Sequence, residues 1–126
     1  MLLDRVCPGG GWNCGNPSMY GTPGQPLVGP TAWALTALAG QPACEKIRQS
    51  LEWLAGIYPT IPSPASLALA AVCLRAWGHA VPPVELRLCE FATANEFLDS
   101  VPGAAWTVLA LVSPPRWLRG TDAKAR

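Results

Sequence analysis

The sequence predicts an all-α fold of stacked helical hairpins, in which apolar inner helices alternate with amphipathic outer ones behind a Gly/Pro-rich loop. Three observations predict it. Prolines at 30, 64 and 102 each open an apolar stretch rich in small residues. Two stretches of a different kind, with charge on one face only, lie between them. Gly/Pro punctuation separates all five. Proline suits the first turn of a helix, where its missing N–H would have no intrahelical partner. Repeats of 30 to 50 residues, each too narrow to bury its own apolar face, stack on their neighbours.

Residues 1–29 differ from the rest. They hold most of the chain's glycines, with Pro8, Pro17, Pro23 and Pro26 among them. Glycine and proline at this density break any helix. The segment reads as an ordered, turn-rich loop anchored by Trp12 and Tyr20. The first helix is expected over Pro30–Ala39. It carries no charge and is expected to be buried nearly all round, with Gly40 and Pro42 as its stop. Ala43–Ala55 is amphipathic, with Cys44, Ile47, Leu51 and Leu54 at helical spacing, and Gly56 is expected to take a left-handed position at its end. Ser63 is a good N-cap ahead of Pro64, and Ser63–Trp77 is nearly all apolar up to Arg75. Pro83–Leu98 is amphipathic again, with Val84, Leu88, Phe91 and Leu98 on one side. Pro102–Val112 returns to the uncharged type. Residues 1–112 thus form one helical-repeat domain, and residues 113–126 a charged, frayed tail.

Composition limits the function. Half of the residues are hydrophobic and 13% are charged, about half the usual charged share, so much of the surface is expected to be covered by a ligand, a partner or further chain. The net charge is +1 with no basic stripe, which argues against nucleic acid. The start at Met1 is too short for the apolar core of a signal peptide. No apolar run reaches the length of a membrane-spanning helix. These features point to a cytoplasmic protein and leave peripheral membrane contact open. Five cysteines, an odd number, three of them in apolar helical contexts, favour reduced thiols over a disulfide framework.

Gly9-Gly10-Gly11-Trp12-Asn13, followed by Pro30-Thr31-Ala32-Trp33-Ala34-Leu35-Thr36-Ala37-Leu38, resembles the C-terminal repeats of squalene–hopene cyclases. It is also similar to the repeat of protein prenyltransferase β-subunits. Ala65–Ala70 and Leu74–Gly78 look like the next repeat, so the likeness spans roughly residues 6 to 112. The resemblance implies an α/α toroid of inner and outer helices around an isoprenoid chain. Five helices cannot close such a ring. The expectation is a partial toroid: a fragment, a truncated product, or one completed by association with itself or a missing half.

The resemblance implies no catalytic residue here. The cyclases use an Asp-x-Asp-Asp acid, and the aspartates of this chain, Asp4, Asp99 and Asp122, are scattered. The glutamine–tryptophan signature of the cyclases is incomplete. The prenyltransferases hold zinc through Asp, Cys and His, whereas Cys7 and Cys14 with the single histidine, His79, make no standard ligand set. His79 reads as an exposed residue after a helix-ending glycine. No cofactor is called for. The candidates for lining an apolar cavity are Trp12, Tyr20, Trp33 and Trp106, with core packing as the competing role for each. Two functions follow as expectations. One is a terpene-cyclase- or prenyltransferase-like segment that supplies the wall of an isoprenoid or lipid cavity without catalysis of its own. The alternative is a non-catalytic helical-repeat module that binds a protein partner.

Overall fold

A computed structural model describes residues 1–81, 84–93 and 101–112. The chain is mostly helical: α1 spans Val28–Ala37, α2 Glu45–Ile57, α3 Pro64–Ala76, α4 Val84–Thr93 and α5 Val101–Leu111. Each of the three repeat prolines lies within the first three residues of its helix. Among the described residues of the stretch 43–98 there is no strand. Helix α3 is the centre. It packs against α1, α2, α4 and α5, while α2 also packs on α1 and α4 on α5. Nine of its thirteen residues, from Leu67 to Leu74 and then Ala76, are buried. Apart from Arg75 in its last turn, α3 is built of small and aliphatic residues with no face suited to water, so it is buried on nearly all sides. The amphipathic α2 buries only Ile47, Ser50, Leu51 and Leu54.

The helix ends follow from local chemistry. The Ser63 hydroxyl accepts from the Ser66 N–H and caps α3. At the other end Gly78 adopts φ +75°. The His79 N–H then reaches the Leu74 carbonyl at 2.9 Å and the Gly78 N–H reaches Arg75 at 3.0 Å, the paired bonds of a Schellman cap. His79 is half-buried there rather than exposed.

Gly56 does not end α2. The helix runs through it to Ile57 and tightens into a 3-10 turn, Tyr58–Thr60. The reason is Pro59, which has no N–H to continue the helical ladder. Expected starts also shift: α1 begins two residues before Pro30 and α2 two residues after Ala43.

Two helices expected to be inner and covered are only half so. On α1, Trp33 is 53% exposed. On α5, Val108 and Leu111 are exposed, as is Val112 just after it. Unlike α3, which packs along both, each of these helices packs extensively, among the described residues, against only one helix of the inner type, α3 itself. The expected end of the outer helix near Leu98 and the tail 113–126 lie outside the described residues.

The Gly/Pro-rich segment is ordered, and it contains the one short sheet of the described residues, Ser18–Met19 paired antiparallel with Thr22–Pro23. Tyr20 (φ +50°) and Gly21 (φ +78°) form its turn, and positive φ at both central residues gives the hairpin its tight twist. Tyr20 is fully exposed at the tip, so it anchors nothing. Trp12 does anchor: it is 3% exposed and its indole N–H donates to the Leu2 carbonyl at 2.9 Å.

Gly10 and Gly11 fit where no other residue would. Both have left-handed backbones. A Cβ on Gly10 would come within 2.8 Å of the Gln49 carbonyl, and one on Gly11 within 2.7 Å of Pro26 Cβ and 2.9 Å of Thr31 Oγ1. Gly21 shares the left-handed φ but faces open space. Urea unfolding should therefore separate two costs. Gly21→Ala should lose about 1 kcal/mol from backbone strain alone. Gly11→Ala should lose more than about 3 kcal/mol, because strain and overpacking add.

Candidate functional site

The loop docks on α1 and α2 through two hydroxyls shut off from water. Thr31 and Ser50 are both 0% exposed. The Trp12 N–H donates to Thr31 Oγ1 at 2.8 Å, and that hydroxyl donates back to the Trp12 carbonyl at 3.2 Å. The Trp12 carbonyl also accepts from the Leu27 N–H at 2.8 Å. The Gly11 N–H donates to Ser50 Oγ at 2.8 Å, and Ser50 in turn donates to the Lys46 carbonyl at 2.7 Å. A buried backbone group needs such a partner. These bonds fix the indole of Trp12 beside α1.

An open apolar groove of about 390 Å³ results, lined by Leu2, Trp12, Asn13, Pro30, Trp33, Ala34 and Ala37. Pro30, Trp33, Ala34 and Ala37 recur at helical spacing and form one stripe of α1. The loop supplies the opposite wall. Two polar side chains of the lining, Trp12 and Asn13, are already engaged. The Trp12 indole bonds to Leu2. The Asn13 amide donates to the Asn16 carbonyl at 3.0 Å and accepts from the Gly15 N–H at 2.9 Å. The groove thus presents hydrocarbon and aromatic surface and no charge.

Of the four tryptophan and tyrosine candidates, Trp12 and Trp33 line this groove. Trp106 is not in its lining but meets Trp33 edge-to-face, with ring centroids 5.0 Å apart and planes at 84°. Such pairs are favourable beyond the area they bury. Tyr20 stands away at the hairpin tip. Thr31 and Ser50, which seat the loop, were missed by sequence reasoning. A hydroxyl on the apolar stripe of α2, at Ser50, was the available signal.

No group of His, Cys, Asp and Glu able to hold a metal occurs among the described residues. The cysteines form no disulfide; Cys7 and Cys73 are buried, Cys44 is half-buried and Cys14 and Cys89 are exposed. Cys89 thus departs from the apolar setting expected of it. Burial pushes the Cys73 thiol up to about 12, against the opposing effect of its hydrogen bond with Thr36. Burial also raises Cys7, partly offset by a hydrogen bond from the Asn13 backbone. Neither thiol is poised as a nucleophile, since the thiolate is the reactive form. No helix of the described residues is long and apolar enough to cross a membrane. Compared with known families, curated proteins and solved structures, the chain matches none of them.

Two outcomes are expected. Thr31→Val keeps the shape but strands the Trp12 N–H, which should cost about 1–3 kcal/mol in urea unfolding and red-shift the tryptophan emission as the loop loosens. Stability should also fall at alkaline pH. The unfolded Cys73 thiol titrates near 9.0 and the folded one near about 12. Between these values the unfolded state has lost a proton that the native state keeps, so stability falls as pH rises, by at most about 1.4 kcal/mol per unit for this group. Unfolding curves of Cys73→Ala across that range should show a shallower slope than the parent.

Proposed function

We propose that this chain is a terpene-cyclase- or prenyltransferase-like helical-repeat segment, part of an α/α toroid, that supplies wall to a site for an isoprenoid or similar lipid chain. The groove between Trp12 and Trp33 carries this reading. Pockets for small molecules are apolar with a few polar groups that orient the ligand. Here the polar groups of Trp12 and Asn13 are turned toward backbone, and the Trp33 indole brings a single N–H to an otherwise apolar lining. What remains recognises hydrocarbon by burial and by aromatic contact, at about 25 cal/mol per Å² of apolar surface removed from water. A polar metabolite would lose its hydration and find at most the one donor of the Trp33 indole in return.

The segment acts without a catalytic centre of its own. The sequence offers no cluster of aspartates to protonate an alkene and no His/Cys/Asp set to hold zinc. The repeat order supports the toroid reading: proline-led apolar helices alternate with amphipathic ones, and successive apolar helices α1, α3 and α5 pack in turn. The reading as a protein-interaction module gains from one observation, the exposed apolar row on α5.

The test is displacement of the dye 1-N-phenylnaphthylamine by farnesol from the purified 126-residue chain. Saturable, one-site displacement is expected. Ala37 is exposed on the groove lining, so Ala37→Phe fills the groove without touching the core. That variant should bind farnesol at least about tenfold more weakly, equivalent to about 1.4 kcal/mol. Absence of saturable displacement, or equal binding by the filled variant, would end the proposal.

A further inference from the structure

We infer that the groove is half of a site, and that helix α5 of a second copy of this chain closes it in a head-to-tail contact. It rests on the lipid-chain reading only for what would fill the closed space. The contact itself stands on the repeat.

Helices α1, α3 and α5 are equivalent members of that repeat, each led by a proline and built of small apolar residues. The middle one shows what such a helix does with its flanks: α3 takes α1 and α5, and nine of its thirteen residues are buried. Among the described residues α1 has no inner-type neighbour ahead of it and α5 has none after it. The two vacant flanks are different surfaces, so one can receive the other. Placing α5 of one copy before α1 of another continues the packing already present inside each chain.

The surfaces suit each other. The stripe on α1 runs from Pro30 to Ala37 and that on α5 from Ala104 to Leu111, two helical turns or about 10 Å in each case. Both helices are free of charged residues, so no ion loses its water on contact. The side chains of Val108 and Leu111 are exposed and would lie across the mouth of the groove as an apolar roof, leaving its volume of about 390 Å³ beneath them. A heterologous contact of this kind extends to further copies or closes into a ring, whereas an isologous one stops at a dimer.

Sedimentation velocity over a dilution series, without ligand, tests the contact. Val108→Glu disables only the α5 face, and Ala37→Arg disables only the α1 face. Both positions are exposed, and far-UV circular dichroism checks that each variant stays folded. The parent should associate reversibly. Each variant alone should need at least about tenfold higher concentration to do so, because a buried, unpaired charge is costly. Mixing the two variants should restore a one-to-one complex, since each retains the face the other lacks. A parent that is monomeric throughout the series would overturn the inference. So would loss of association in only one variant, or a mixture that does no better than its components. Farnesol binding by a monomeric parent would end the contact and leave the groove reading intact. Association without farnesol binding would do the reverse.

Discussion

The Thr31 hydroxyl holds both polar groups of the Trp12 backbone, and the candidate site depends on that exchange. A loop with so much glycine and proline has a large conformational entropy to lose on ordering. Hydrophobic contact from one indole does not fix its backbone. Thr31 and Ser50 do, because each gives a buried N–H its acceptor in a place water cannot reach. The close approach that makes those bonds short leaves no room for a Cβ at Gly10 or Gly11. The glycines, the two hydroxyls and the position of Trp12 are therefore one arrangement. The groove beside α1 is its product.

Helix α3 sets the rest of the frame. Side chains at its C-terminal end bond to the backbones of both flanking helices. The Trp77 indole, at the end of α3, donates to the Leu35 carbonyl of α1 at 2.9 Å. Arg75 of α3 donates to the Ala110 carbonyl of α5. Trp33 and Trp106 meet between the two flanking helices. Aromatic and arginine side chains thus do between helices what backbone ladders do within them. The long apolar body of each packs while its polar end bonds to a carbonyl.

Much of the helical order was legible because its signals are local. Proline at a first turn, the Ser63 cap and the glycines at 40 and 78 act within a few residues of where they stand. Gly56 misled because glycine permits a left-handed turn without requiring one, and Pro59 determined the end instead. Trp12 and Trp33 were legible as cavity candidates because a large aromatic on an uncharged helix or in an ordered loop must pack somewhere. Tyr20 was not, since the same aromatic character gives no hint that it lies on a two-residue turn. Thr31 and Ser50 bond to residues 19 and 39 positions away. No pattern along the chain carries such a pairing. The exposure of α1 and α5 depends on how many repeats stand beside them, a property of the assembly rather than of either helix.

Pro59 ends α2, and the carbonyls around it do not stay idle. The Arg87 guanidinium of α4 reaches over to the carbonyls of Tyr58 at 3.3 Å, Pro59 at 3.0 Å and Ile61 at 2.6 Å. One side chain thereby reads the spacing of three carbonyls within four residues of the connection between α2 and α3. This makes that connection intolerant of insertion or deletion, although it lies at the surface, where loop length usually drifts freely. One residue more would rotate the carbonyls out of the fork and unseat α4. Length variation in such a repeat is then confined to the parts that no arginine measures, and its prolines, 34 and then 38 residues apart, show such variation within this one chain.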